Sequence, residues 1–168
     1  QDGNPRPRLF RLRADKAIIN RLGFNNLGFD YAYENIKKVD RTLPIGINLG
    51  ANRETSNKIR DYLKGLQKFD NLADYLTINI SSPNTPGLRN LQQRDELDTL
   101  LEAFKTKGIK SKIFVKIAPD LTDENLQDIV STAIKYQVEG LVVCNTTIER
   151  NYPLKDNCSI EKGGLSGP

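Results

Sequence analysis

Residues 74–90 read DYLTINISSPNTPGLRN, an apolar run that empties into hydroxyls, amides and two prolines. The run DYLTINI has the length and β-branched content of a buried strand. Asn79 to Asn90 then make a stiff polar loop at that strand's mouth. Three further runs repeat the pattern: LPIGINLG from Leu43, KIFVKIA from Lys112 and GLVVCNTT from Gly140. Each reads as apolar on both faces, the habit of parallel strands covered on either side.

Helical periodicity fills the intervals. NRETSNKIRDYLKGLQKF places Ile59, Leu63 and Leu66 on one face. QQRDELDTLLEAFKTKG does the same with Leu97, Leu100, Leu101 and Phe104, and stops at Gly108. LTDENLQDIVSTAIKYQ opens at Thr122, has acids in its first turn, and carries Leu126, Ile129, Val130 and Ile134 on one stripe. Strand and helix alternate at about thirty-residue intervals, the rhythm of βαβ units, so the fold class is α/β with a parallel sheet.

Two architectures share that rhythm. No G-x-G-x-x-G follows any strand, which removes the best support for a doubly wound dinucleotide fold. A closed (β/α) barrel takes eight units and ~250 residues. The 168 residues hold about half of one. Residues 1–40 read as an insertion beside it: GNPRPRLFRL is proline-punctuated and basic, an extended or hairpin excursion, and NRLGFNNLGFDYAYENIKKV is a turn followed by a helix to about Val39.

Composition narrows the chemistry. Charged residues are 27% and hydrophobic ones 38%, with both signs interspersed as on a solvated globular surface. The net charge is +4, without any block of basic residues that would mark a nucleic-acid surface. Arg6, Arg8, Arg11 and Arg13 read as a solvated face. Histidine is absent, and Cys144 and Cys158 form no ligand-like cluster, so no metal site is expected and a reducing compartment is the default. A serine nucleophile in the 79–90 loop has no histidine to activate it. No apolar run approaches the ~20 residues that span a bilayer, and the segment by itself is expected to be soluble.

Aligned by their last apolar residue, the strands deliver Asn48 after Ile47, Asn79 after Ile78, Lys116 after Val115, and Cys144 and Asn145 after Val143. One asparagine after a strand is usually a turn former. Four polar ends in register imply a pocket with neutral donors and acceptors and one cation, at the face where barrels build active sites. That lining suits a planar, multiply hydrogen-bonded ligand such as a flavin or a pyrimidine.

The motifs GNPRPRLFRL, INRLGFNN, IGINLGAN, ADYLTINISSPNTPGLRNLQ, VKIAPDLT, VVCNTT and GGLSG, in that order, resemble dihydroorotate dehydrogenases, specifically the class 2, membrane-associated, quinone-reducing type. The resemblance runs essentially end to end. It implies an FMN-containing (β/α)8 TIM barrel that oxidises dihydroorotate to orotate in pyrimidine biosynthesis, with the four strands as the third to sixth of eight. Asn48, Asn79, Lys116, Cys144, Ser166 and Gly167 match flavin-binding positions. Asn20, Asn79, Asn84, Asn145 and Thr146 match the groups that grip orotate, with Arg21, Leu22, Gly23 and Phe24 in a substrate-facing turn. Ser82 matches the catalytic base, for which class 1 relatives use cysteine. Cys144 departs from the threonine or other small residue that many relatives carry.

The resemblance also implies what lies outside these residues: the first two strands, the amino-terminal helices of the quinone tunnel that rest on the membrane, and the last two strands, whose turns hold the FMN phosphate. The sequence starts at Gln1 and ends in EKGGLSGP, a glycine-rich turn, and is expected to be a portion of a longer enzyme. Alone it is expected to be unstable and not to retain FMN. Two other readings have different tests: a class 1-like enzyme using fumarate or NAD, and a noncatalytic domain that binds anions or nucleic acid.

Overall fold

The computed structural model describes all of residues 1–168. Four strands, β3 (Gly46–Leu49), β4 (Tyr75–Asn79), β5 (Lys112–Ile117) and β6 (Gly140–Val143), form one parallel sheet in the order β3-β4-β5-β6. Every strand pairs with the next in sequence. A doubly wound sheet reverses its strand order at a switch point, and none occurs here. The order is that of a barrel wall.

Three helices return the chain from strand to strand: α2 (Lys58–Phe69), α3 (Arg94–Lys105) and α4 (Asp123–Lys135). Two of their starts are set by side chains that accept orphan N–H groups. Asn57 accepts from the Arg60 N–H at 2.9 Å and Thr122 from the Asn125 N–H at 3.2 Å. An earlier helix, α1 (Phe29–Ile36), packs on α2 through an edge-to-face contact of Phe29 with Phe69, centroids 5.6 Å apart. It stops at Ile36, short of the expected Val39, and gives way to turn residues. No helix is long and apolar enough to cross a membrane.

The sheet's two faces differ, which corrects the reading of its strands as apolar on both sides. Residues paired across a parallel ladder share a face. Leu49, Leu76, Ile78, Val115 and Ile117 face the helices, in a core cluster of 17 buried residues. The other face carries Gly46, Asn48, Tyr75, Thr77, Asn79, Phe114 and Lys116. That face is polar because it is a barrel's interior near the carboxyl ends of its strands, where ligands bind.

At the opposite end this face carries Tyr75 and Phe114, edge to face with centroids 5.4 Å apart. Gly46 and Gly140 flank them. A Cβ on Gly46 would sit 2.0 Å from the Tyr75 ring and one on Gly140 3.1 Å from Phe114. Two large residues thus sit between two small ones across the wall, and the glycines give the rings their room. We expect Gly46→Ala in the full-length protein to cost about 1–3 kcal/mol, because the Tyr75 ring is held against Phe114 and must be displaced. An unchanged chemical-denaturation midpoint would show that the ring moves freely.

Two helix stripes differ from expectation. In α2 the deeply buried residues are Tyr62, Leu66 and Phe69, while Ile59 and Leu63 are only partly covered, because Gly65 lets the helix approach Leu49 along the Tyr62–Phe69 side. In α4 only Ile129 of the four apolar positions is buried, and Leu126, Val130 and Ile134 are exposed. Asp128 and Lys135 pair with Arg94 and Asp98 of α3, so the exposed stripe lies on the opposite flank. In a barrel the next βα unit packs on that flank.

A second, three-stranded sheet lies outside the wall. Strands β1 (Leu9–Leu12) and β2 (Ala17–Asn20) form an antiparallel hairpin, and β7 (Gly164–Ser166) pairs with β2. Leu12, Ala17 and Ile19 give this sheet its own small core. The terminal GGLSG stretch, expected as a turn, is therefore a strand in part. Its partner is distant in sequence, and its glycines carry no strand propensity.

Candidate active site

The carboxyl ends of the strands are staggered, which corrects the expectation that their polar residues stand in one register. Lys116 lies opposite Asn79, but Asn48 lies opposite Thr77, and Val142 opposite Lys116. Asn79 and Cys144 therefore each stand two residues beyond the position paired with the neighbouring strand. Such stagger accompanies the tilt of strands around a barrel. For Asn48, Asn79 and Lys116 the inward direction is preserved, because every offset within the strands is an even number of residues.

The side-chain and backbone oxygens of Asn79 are satisfied internally. Its Oδ1 accepts from the Ser81 N–H at 3.2 Å and from Ser81 Oγ at 2.7 Å. Ser81 Oγ in turn accepts from Asn145 Nδ2 at 2.9 Å, and Asn145 Oδ1 accepts from the Thr146 N–H at 2.8 Å. The Tyr62 hydroxyl donates to the Asn79 carbonyl at 2.8 Å, and burial pushes its pKa well above the ordinary phenol value. This chain of bonds runs from the helix layer through β4 to the loop after β6. Ser81 is its fully buried hub.

Arg89 fastens the same loops from above. Its Nε donates to the Ser81 carbonyl at 2.9 Å, Nη1 to Asp120 Oδ2 at 2.6 Å, and Nη2 to the Thr146 carbonyl at 3.1 Å. Asp120 also accepts from the Thr147 hydroxyl and from the Ile148 N–H at 3.2 Å. Burial raises the Asp120 pKa, but the bonds from Thr147, Arg89 and Ile148 outweigh it and hold the carboxyl below the usual carboxylate range. Three loops, after β4, β5 and β6, are joined by one guanidinium–carboxylate pair. Neither Arg89 nor Asp120 was singled out from the sequence. Their signal was opposite charges in the loops GLRN and APD after adjacent strands.

A cavity of about 580 Å³ opens on the interior face. Lys116, Cys144, Asn145, Thr146, Ser166 and Gly167 all line it, so six of the expected site residues meet in one place. Lys116 forms neither ion pair nor hydrogen bond, and its ammonium is free for an anionic group. Gly167 approaches Ala17 so closely that a Cβ would lie 2.8 Å from the alanine methyl. Asn48 is exposed on the same face of the wall, next to Thr77.

The remaining candidates do not line this cavity. Asn84 Nδ2 donates to the Asn20 carbonyl at 3.1 Å, so the hairpin carrying Asn20 braces this loop. Asn4 Nδ2 does the same at the Asn84 carbonyl, at 3.2 Å. Ser82 is 6% exposed, and its Oγ accepts from the Asn84 N–H at 3.2 Å while donating no hydrogen bond itself. Arg21 pairs with Glu161 at 2.7 Å. Leu22 is exposed, and Gly23 turns the chain with φ 70°. Phe24 lies against Gly50 after β3, where a Cβ would meet its ring at 2.9 Å, and it packs on the core rather than into the cavity.

The profile of the family described as "Dihydroorotate dehydrogenase" matches residues 1–168. The chain belongs to the dihydroorotate dehydrogenase family. It is 49% identical over 176 aligned residues to the dihydroorotate dehydrogenase (quinone) of Brucella ovis, covering 99% of this chain and 48% of that protein. The corresponding protein of Rhizobium etli is 46% identical, with 99% and 48% covered. Among solved structures, the ferulenol complex of DHODH from Eimeria tenella superposes with a TM-score of 0.92 at 40% identity, covering all of this chain and 53% of that one. The ligand-free form gives 0.92 at 41% identity, with 54% of that chain covered. The chain thus spans about half the length of these relatives, and its sheet is part of their (β/α) barrel.

Proposed function

We propose that these residues form the flavin- and substrate-facing half of a class 2 dihydroorotate dehydrogenase, which oxidises dihydroorotate to orotate in pyrimidine biosynthesis and passes two electrons to a membrane quinone. The observation that carries this reading is the interior cavity lined by Lys116, Asn145, Thr146, Ser166 and Gly167. A free ammonium among amides, hydroxyls and backbone groups, with the one lining carboxylate, Glu149, accepting from Asn151 Nδ2 at 2.5 Å, fits a ring system that gathers negative charge on reduction. These donors fit FMN, with Asn48, Asn79, Lys116, Ser166, Gly167 and the backbone at Cys144 holding it.

Bound FMN supplies the hydride acceptor for C6 of dihydroorotate. The chain's own residues supply position and proton handling. Asn20, Asn79, Asn84, Asn145 and Thr146 hold the ring and its carboxylate, with the turn Arg21–Leu22–Gly23–Phe24 backing Asn20 and residues 1–40 acting as a cover over the strand ends. Ser82 Oγ takes the proton from C5, which is acidified by the adjacent ring carbonyl, while its own hydroxyl proton is released to solvent. Lys116 offsets the negative charge that accumulates across the cavity. Asn145 is tied to Ser81 and Asn79, so the grip on one side of the ring is set by the strand wall rather than by a free loop.

The test is anaerobic addition of dihydroorotate to the full-length flavoprotein. Flavin absorbance should bleach, and a short-chain quinone should restore it. Restoration by fumarate or NAD instead would replace this reading with a class 1-like one. Steep, salt-sensitive DNA binding without bleaching would replace both.

A further inference from the structure

A larger cleft, of about 830 Å³, lies on the outer side of the 79–90 loop and shares no residue with the interior cavity. Pro83 and Asn84 of that loop form part of its wall. Five cations line it, Arg6, Arg21, Arg53, Arg150 and Lys162, against the single carboxylate of Glu161. Glu161 is taken by Arg21 at 2.7 Å. No carboxylate stands within 4.0 Å of the other four. The uncompensated charge of this one cleft equals the net +4 of the whole chain.

Two of the four are held by neutral acceptors, which fix a guanidinium without cancelling its charge. Arg53 Nη1 donates to Asn4 Oδ1 at 2.7 Å, and Arg150 Nη2 donates to the Gly163 carbonyl at 2.9 Å. Unpaired like charges around one concavity repel, and only solvent and its ions screen them. Such a surface stabilises any anion that approaches it.

We propose that this cleft is an anion-collecting vestibule, which draws the carboxylate of the substrate to the outer side of the loop that carries Ser82 and Asn84. The proposal rests on the dehydrogenase reading for the identity of the anion, but not for the existence of the anion site. Concave fields of one sign raise association rates by about 10- to 1,000-fold and lose this effect as salt shortens the screening length. Arg6 and Lys162 make no side-chain hydrogen bonds, so their removal changes charge and leaves the loop's bonds intact.

The experiment measures kcat/KM for dihydroorotate in the full-length enzyme, with a saturating neutral quinone, from low to high ionic strength. The parent should lose about tenfold over that range, and Arg6→Gln/Lys162→Gln should start several-fold lower and show a flatter slope, the two proteins converging at high salt. Lys38→Gln/Lys64→Gln, the same charge change on exposed lysines outside the cleft, should keep the parental slope. A second arm follows broadening of the phosphorus resonance of inorganic phosphate, which the Arg6/Lys162 pair should reduce and the Lys38/Lys64 pair should not. Equal slopes in the parent and the Arg6/Lys162 variant overturn the vestibule. If dihydroorotate is not oxidised at all, the functional reading fails separately, and equal phosphate broadening in all three proteins overturns the vestibule on its own.

Discussion

Ser82→Ala in the full-length enzyme is expected to slow flavin bleaching by dihydroorotate by about 10²- to 10⁴-fold, the usual worth of a positioned acid–base group. Flavin should stay bound, since Ser82 does not line the cavity around Lys116. The competing reading is that Ser82 only shapes its loop. Its Oγ accepts the Asn84 N–H at 3.2 Å, so alanine leaves one buried donor without that partner, a loss of about 1 kcal/mol. A thermal-melt shift of that size is expected either way and decides nothing. The deciding variants are Ser82→Cys and Ser82→Ala compared across pH. A thiol with its ordinary pKa near ~8.5 should return part of the bleaching rate, increasingly as pH rises toward that value, whereas a shaping role has no reason to titrate there. Bleaching by Ser82→Ala at the parental rate would remove Ser82 as the base.

The parts legible in sequence were those set by local rules. The strand DYLTINI, the cap Thr122, and the α3 stripe Leu97, Leu100, Leu101 and Phe104 depend on neighbours within a few residues, and the structure has them all. The α4 stripe is largely uncovered, because helical periodicity identifies an apolar flank but not whether a neighbour packs on it. The strand GLS was missed because its pairing with β2 is a contact between the two ends of the chain. Cys144, Asn145 and Lys116 were legible as polar strand ends, yet their stagger was not. Register belongs to the closure of the sheet rather than to any one strand. Arg89 was the largest omission, and its role is spread over partners at Ser81, Asp120 and Thr146.

Arg89→Ala is therefore expected to be the most damaging single change outside the hydrophobic core, at about 3–5 kcal/mol, because it leaves the Asp120 carboxylate with little solvent and without its cation. The Arg89 and Asp120 side chains are 20% and 9% exposed, so water compensates for neither loss in full. Arg89→Lys keeps the charge but not the fork, which reaches Ser81, Asp120 and Thr146 at once. It should recover part of the stability while raising KM for dihydroorotate, since Asn145 and Thr146 belong to one of the loops released. Acid supplies the same test without mutation. The Asp120 pKa is lower in the folded protein than in the unfolded chain, so its contribution is complete above the ordinary carboxylate value of ~3.9 and is lost as pH falls from there toward the folded value. Asp120→Asn should be less stable than the parent at neutral pH and should lose less on acidification. Denaturant midpoints of both proteins between neutral pH and about pH 3 measure this directly, and parallel curves would mean that Asp120 takes no part in the acid response.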